Sequence, residues 1–194
     1  MMAYAAVRLL TLVFLTEGAA LGAAFLLARW FGIHLFPLTR NFAGDIVKGT
    51  LAALPPLLLF ICSLTKGAAR VPGLRSLRRK VLGDIRSLFM DVGLLELVLI
   101  SASAGFAEEL LFRGVLQSEF GIVTASLIFG LVHFINPSYV LAASAMGFYI
   151  GVVFLMSGHL LMPVQLHFIY DLGALAYIRY LKDDESPAPT DGME

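Results

Sequence analysis

The chain of 194 residues has few charged residues and almost no cysteine. Lysine, arginine, aspartate and glutamate make up 14% of it, whereas an ordinary soluble domain has about 25%. Hydrophobic residues make up 59%, and the mean hydropathy is +0.85. An ordinary soluble fold is therefore excluded, and a membrane protein is indicated. The single cysteine, Cys62, excludes an internal disulfide, and its apolar surroundings predict a buried thiol with a structural role.

The sequence also lacks the patterns of several other protein classes. It shows no strand-type alternation, no internal repeat and no nucleic-acid-binding motif, so we expect no nucleic acid among its partners. The first apolar run is long enough to span a bilayer and carries no small-residue cleavage site, so we expect no cleavable signal peptide.

The long apolar runs predict an all-α, polytopic membrane protein with about six transmembrane helices, because one span takes about 20 residues. We treat 1–182 as a single transmembrane domain, and 183–194, which is rich in proline and acidic residues, as a disordered tail. The fourth span is short for a full crossing. The predicted spans lie near 5–28, 46–64, 91–118, 121–135, 138–157 and 159–181.

A basic segment, residues 66–86, contains seven of the fourteen basic residues. The positive-inside rule places it in the cytoplasm, together with both termini of a multi-pass protein of the cell (inner) membrane. Apolar residues at three- and four-residue spacing predict a cytoplasmic interfacial amphipathic helix there: Leu74, Leu77, Val81, Leu82, Ile85, Leu88 and Phe89. We expect four arginines of this helix to face anionic lipid headgroups: Arg75, Arg78, Arg79 and Arg86.

Three ionisable residues stand at the end of an apolar run that begins near Leu94: Glu108, Glu109 and Arg113. A charged side chain at the centre of a membrane helix costs about 2.5–3.5 kcal/mol on insertion scales. Such groups are therefore paired, functional or both. Glu109 and Arg113 stand four residues apart, which predicts an ion pair. Glu108 points about 100° away from Glu109, so the two carboxylates have different roles.

Later segments carry further polar residues on shared helix faces. Phe129 and His133 stand four residues apart, and so do His167 and Asp171. We therefore expect Phe129 to stack beside His133, and His167 to lie beside Asp171. A carboxylate of the first span, Glu17, is assigned to helix packing, with lining of the cavity as the alternative.

The predicted turns place these residues at similar depth. Glu108 lies about 11 residues before the turn at 119–121 and His133 about 12 residues after it, so both lie about 16–18 Å below one membrane face. His167 lies nine residues beyond the turn at Gly158, about 13 Å below the same face. The aspartate that follows it is one helical turn deeper. The segments thus predict one polar site within the bilayer.

These residue types support two kinds of chemistry. Glu108 can take a proton from a water that attacks a peptide carbonyl, while His133 and His167 donate hydrogen bonds to the developing oxyanion. Asp171 can orient His167 or hold the water. The same residues also resemble a metal site, with a divalent ion such as zinc at His133, His167 and Asp171 and Glu108 as the base. The residues alone leave both versions open.

Three known types of intramembrane protease are not supported by the sequence. It contains no His-Glu-x-x-His motif, which zinc-dependent site-2 proteases use, and no Gly-x-Ser-x-Gly or related serine motif. It also lacks the Gly-x-Gly-Asp half of the aspartyl-type pair, although Tyr170 precedes Asp171.

Three motifs together resemble those of the CAAX-protease and bacteriocin-processing family, also called the abortive-infection family: Glu108-Glu109-x-x-x-Arg113, Phe129-x-x-x-His133 and His167-x-x-x-Asp171. The resemblance covers 94–181. It implies an intramembrane endopeptidase in which Glu108 activates water and His133, His167 and Asp171 complete the site. It assigns supporting roles to Glu109, Arg113 and Phe129. It also implies that no tightly bound metal is needed. Asp171 stands where the eukaryotic-type prenyl-protein proteases have asparagine.

The resemblance implies a glutamate-dependent protease whose partners are the lipid bilayer and a membrane-anchored protein or peptide. The expected cleavage removes a C-terminal sorting signal, a leader or a CAAX-like tail. The domain 1–182 is then the catalytic domain. Two alternatives are a non-enzymatic immunity or scaffold protein of the same fold and an ion-coupled transporter. The absence of an inverted repeat disfavours the transporter.

Overall fold

The computed structural model of the chain describes residues 2–181, with side chains described from residue 7 onward. The predicted tail 183–194 lies outside the described residues. Within them the chain forms helices and no strand, which confirms the all-α prediction. The α-helices are α1 (Met2–Phe31), α2 (Phe42–Ser63), α3 (Pro72–Lys80), α4 (Arg86–Phe89), α5 (Leu94–Glu109), α6 (Ser118–Val132), α7 (Pro137–Ser157) and α8 (Leu161–Tyr180).

Five helical stretches are long and apolar enough to cross a membrane: Val7–Phe31, Phe42–Ser63, Leu94–Val132, Pro137–Ser157 and Leu161–Tyr180. They make the chain a polytopic membrane protein. The third stretch is 39 residues long because it joins two of the six predicted spans.

The third stretch folds back on itself at Gly121. This glycine has φ 82° and ψ 164°, a conformation that breaks the helix. The rings of Phe112 and Phe129 have centroids 4.9 Å apart, whereas a straight helix would separate these residues by about 25 Å. The predicted turn at 119–121 is therefore present, and the short segment after it runs back toward the site.

Helices α5 and α8 approach each other closely at Gly105. A Cβ atom there would lie 2.9 Å from the backbone nitrogen of Phe168 and 3.2 Å from the carbonyl oxygen of Val164. A larger residue would therefore push the helices apart. Small residues allow such approaches between membrane helices. Because Phe168 follows His167, this contact brings that histidine next to the end of α5.

The predicted amphipathic helix is present as α3, a π-helical segment (Val81–Ile85) and α4. Its apolar face packs on the protein: Leu77, Val81 and Phe89 are buried in a cluster with Leu97 and Ile178.

The expectation that Arg86 faces lipid headgroups is wrong. Its side chain is buried, with Nε donating to the carbonyl oxygen of Ile178 at 3.0 Å and Nη2 donating to that of Leu181 at 2.6 Å. The end of α8 offers backbone carbonyls that helical bonding leaves free, and these attract a cation.

The expectation of a buried cysteine is also wrong. Cys62 is exposed and lines an apolar cavity of about 600 Å³ between α2, α3 and α7. Apolar sequence surroundings do not distinguish a core position from a surface that faces lipid, because both environments favour the same residues.

Candidate active site

Two adjacent carboxylates end α5 and point in different directions. Glu108 and Glu109 are its last two residues, and a π-helical segment, Leu110–Gln117, begins directly after them. Segments of π-helix inside α-helices are frequent at functional sites. Glu108 faces two histidines, with Oε1 3.6 Å from Nε2 of His133 and Oε2 4.0 Å from Nε2 of His167. Three separate parts of the chain therefore meet at Glu108.

Glu109 forms a buried ion pair instead. Its Oε1 accepts hydrogen bonds from Nη1 of Arg113 at 2.9 Å and from Nδ1 of His167 at 2.6 Å. Arg113 also donates from Nη2 to the carbonyl oxygen of Gly147 at 2.9 Å. Both charged side chains are buried, and such charges depend on partners of this kind. Because Glu109 holds Nδ1 of His167, the other ring nitrogen, Nε2, faces Glu108.

His133 follows the last residue of α6, and its ring is fixed by a backbone contact. Its Nδ1 lies 2.8 Å from the carbonyl oxygen of Phe129. A carbonyl oxygen only accepts hydrogen bonds, so Nδ1 carries a hydrogen and Nε2 is left for Glu108.

Phe129 packs between the charged groups of the site. Its ring lies on the His133 ring with centroids 4.5 Å apart and meets the His167 ring edge-on at 5.9 Å. The guanidinium of Arg113 lies 4.9 Å from the Phe129 centroid, in a cation–π contact. One aromatic ring thus contacts both imidazoles.

Asp171 lies on the accessible side of the site. Its Oδ2 is 3.4 Å from Nε2 of His167, and its side chain is 27% exposed. The side chain of His133 is 31% exposed and that of Glu108 is 12% exposed, whereas Glu109 is fully buried. The site therefore has a closed side, formed by the Glu109–Arg113 pair, and an open side, where His133 and Asp171 are partly exposed.

This arrangement supports proton transfer and stabilisation of a developing negative charge. Glu108 is a proton acceptor at the open side, and two imidazoles beside it are hydrogen-bond donors when protonated. Among residues 2–181, no group of three or more His, Cys, Asp and Glu side chains is arranged to hold a metal ion.

Three contacts predicted from four-residue spacing are confirmed: Glu109 with Arg113, Phe129 with His133 and His167 with Asp171. The structure also brings together the four residues assigned to catalysis, although their roles stay predictions. The bond between Glu109 and His167 was missed, because it joins residues 58 positions apart and helical periodicity gives no contacts between helices.

The sequence analysis assigned Glu17 to helix packing, with lining of the cavity as the alternative. In the structure its carboxylate interacts electrostatically with four groups of the site: Glu108, His167, Asp171 and His133. The signal in the sequence was a carboxylate in the middle of an otherwise apolar first span, which is a functional position by default.

The bundle of long apolar helices defines a polytopic membrane protein. Residues 91–173, which carry the three motifs, match the family model described as type II CAAX prenyl endopeptidase Rce1-like. The predicted resemblance is confirmed over these residues.

A curated relative is the uncharacterized protein YpbD of Bacillus subtilis (strain 168). It is 35% identical over 101 residues, which cover 50% of this chain and 53% of that protein. The chain thus spans about half the length of this relative. No solved structure matches the chain.

Proposed function

We propose that the protein is an intramembrane endopeptidase that cleaves a peptide bond of a membrane-anchored protein or peptide. The observation that supports this most is the position of Glu108, which lies 3.6 Å from Nε2 of His133 and 4.0 Å from Nε2 of His167 at the open side of the site. Amide hydrolysis needs a base and donors for the oxyanion in such proximity. The family of residues 91–173 is described as an endopeptidase family, which supports the same reaction.

In the proposed reaction Glu108 is the general base. It takes a proton from a water while the oxygen of that water attacks the carbonyl carbon of the substrate, and the electron pair of the C=O double bond moves to the oxygen. Glu108 then gives this proton to the nitrogen of the tetrahedral intermediate, which restores the carboxylate. As the nitrogen is protonated, the electron pair of the oxyanion re-forms the C=O bond, the C–N bond breaks and the amine leaves.

The two histidines stabilise the oxyanion in this proposal. Loss of one such donor costs about 10²–10³ in kcat in well-studied hydrolases. Glu109 orients His167 through the bond to Nδ1, and Asp171, 3.4 Å from Nε2, orients the same ring or holds the water. No step is routed through a metal ion.

We further propose that the substrate presents a C-terminal sorting signal, a leader or a CAAX-like tail. The site lies inside the helical bundle, so the cleaved segment must enter from the bilayer or from its surface. The basic segment and both termini are placed in the cytoplasm by the positive-inside rule, with the protein in the cell (inner) membrane.

The test compares the wild type with Glu108→Ala and Glu108→Gln in liposomes. One probe is an internally quenched peptide with a farnesylated CAAX tail. The others are membrane polypeptides that accumulate uncut in cells with Glu108→Ala as the sole copy. We expect cleavage to fall at least about 100-fold in both variants, because the base is lost.

Glu96→Gln is the matched control, since Glu96 is a carboxylate in the first turn of the same helix. It should cleave as the wild type does, and a strong chelator should leave cleavage unchanged. Full activity of Glu108→Ala would contradict the mechanism. If cells that carry this substitution keep the wild-type phenotype, the result would favour the non-enzymatic alternative.

A further inference from the structure

Glu17 lies on the face of α1 that packs against the rest of the bundle. Five other residues of this face belong to buried clusters or pack against them: Leu10, Val13, Leu21, Ala24 and Ala28. Together with Glu17 they recur at three- or four-residue spacing. Residues with this spacing share one side of a helix. Glu17 therefore faces inward from the middle of an apolar stripe.

The packing partners of this stripe give the depth of Glu17 in the bundle. Val13 packs against the buried cluster that contains Ile100, and Ala24 belongs to the cluster that contains Leu110. The first and third spans therefore run parallel. Glu17 lies between the two contacts, at the level of the last turns of α5, where Glu108 is located.

Glu17 and Glu108 each have a carboxylate oxygen that lacks a hydrogen-bond donor among the described residues. Oε2 of each carboxylate is buried and has no hydrogen-bond partner among the described residues. Of the ionisable groups that act on Glu17, Glu108 has the strongest electrostatic effect. A buried acceptor without a partner costs about 1–3 kcal/mol. One water has two hydrogens, which match two such acceptors, and polar sites of this kind hold ordered water in proteins.

We propose that Glu17 is a positioning residue that acts through the hydrolytic water, with Glu17 and Glu108 each accepting one hydrogen of the same molecule. The inference rests on the proposed function and deepens it. With both hydrogens held, the lone pairs of the water point away from the carboxylates, toward the open side at His133 and Asp171. When Glu108 takes one proton of the water, the remaining hydrogen stays hydrogen-bonded to Glu17. The hydroxide therefore keeps its position as it attacks the carbonyl carbon.

The main variant is Glu17→Leu, which keeps the approximate size of the side chain and removes the acceptor. Leucine makes α1 more apolar, so insertion is favoured. We expect kcat to fall about 10- to 100-fold, because the water is misplaced, and KM to stay the same, because Glu17 does not touch the substrate. Glu17→Asp keeps a carboxylate and should recover part of kcat.

Thr16→Leu is the matched control. Thr16 neighbours Glu17 on α1, is exposed, and donates to carbonyl oxygens of its own helix, those of Leu12 and Val13. It should cleave with the kcat of the wild type. A purely structural role for Glu17 would lower the thermal stability of both Glu17 variants and would not separate kcat from KM.

A second measurement needs no substrate. Infrared difference spectra after exchange into heavy-oxygen water report strongly hydrogen-bonded water in the protein. We expect such a band in the wild type and in Thr16→Leu, and its loss in both Glu17→Leu and Glu108→Leu.

Two results would overturn the inference: a band that persists in Glu17→Leu, or a wild-type kcat in that variant. Normal cleavage by Glu108→Leu would instead overturn the proposed function. Loss of the band in Glu17→Leu would then still support a water held between the two carboxylates.

Discussion

The candidate site and the basic segment both concentrate charge, and they accommodate it differently. In the site Arg113 is buried against the carboxylate of Glu109. In the basic segment Arg75 and Arg78 donate from Nε to the carbonyl oxygens of Ala69 and Leu64, at 2.8 Å and 2.7 Å. Inside the bundle Arg113 has a carboxylate partner in addition to a backbone carbonyl, whereas Arg75 and Arg78 bond to backbone carbonyls near the end of the bundle. Arginine-to-methionine substitutions at three depths measure this difference.

The largest effect is expected for Arg113→Met. Methionine keeps a long side chain but leaves the buried Glu109 carboxylate without its arginine partner. Breaking a buried pair by removing one partner costs about 3–5 kcal/mol. Reversible unfolding in mixed detergent micelles measures this loss. A change in the free energy of unfolding below about 1 kcal/mol would show that the pair does not stabilise the closed side.

The double variant Glu109→Leu/Arg113→Met separates stability from function. Replacing both members of a buried pair by apolar residues is often neutral or stabilising, so we expect part of the stability to return. Cleavage should stay low, because Nδ1 of His167 has lost the carboxylate that fixes its ring. Recovery of cleavage together with stability would contradict the orienting role given to Glu109.

An intermediate effect is expected for Arg86→Met. The substitution removes a buried hydrogen bond to the carbonyl oxygen of Ile178 and a part-buried one to that of Leu181. One buried group that loses its partner costs about 1–3 kcal/mol. A carbonyl oxygen carries only a partial charge, so the loss of stability should be smaller than for Arg113→Met. The same unfolding measurement tests the order, and a larger loss for Arg86→Met would reverse the comparison.

Local geometry could be predicted from the sequence to a large extent. Four-residue spacing gave the Glu109–Arg113 pair and the Phe129–His133 stack, and a glycine after polar residues gave the turn at 119–121. These features depend on one helix or one turn, and helical geometry fixes them. The matched family segment 91–173 carries most of them.

Contacts between helices could not be predicted in the same way. Arg86 was assigned to headgroups because its neighbours in the amphipathic pattern are basic, yet it bonds to the end of α8. The bond from His167 to Glu109 and the inward position of Glu17 depend on how close α5 comes to α8 and α1. Gly105 permits one of these approaches, but a glycine in a membrane helix does not identify its partner helix.

The smallest effect is expected for Arg79→Met. Arg79 is exposed on α3, and exposed substitutions usually change the free energy of unfolding by less than about 0.5 kcal/mol. Its charge should matter instead for orientation, because the positive-inside rule counts basic residues near span ends. Cysteine labelling from each side of the membrane, at position 79 and in the turn at 119–121, measures that orientation. A loss of stability as large as that of Arg86→Met would mean that the outer face of α3 is covered by protein. The difference between the arginines of the site and those of the basic segment would then come from their depth in the bundle and not from the kind of partner.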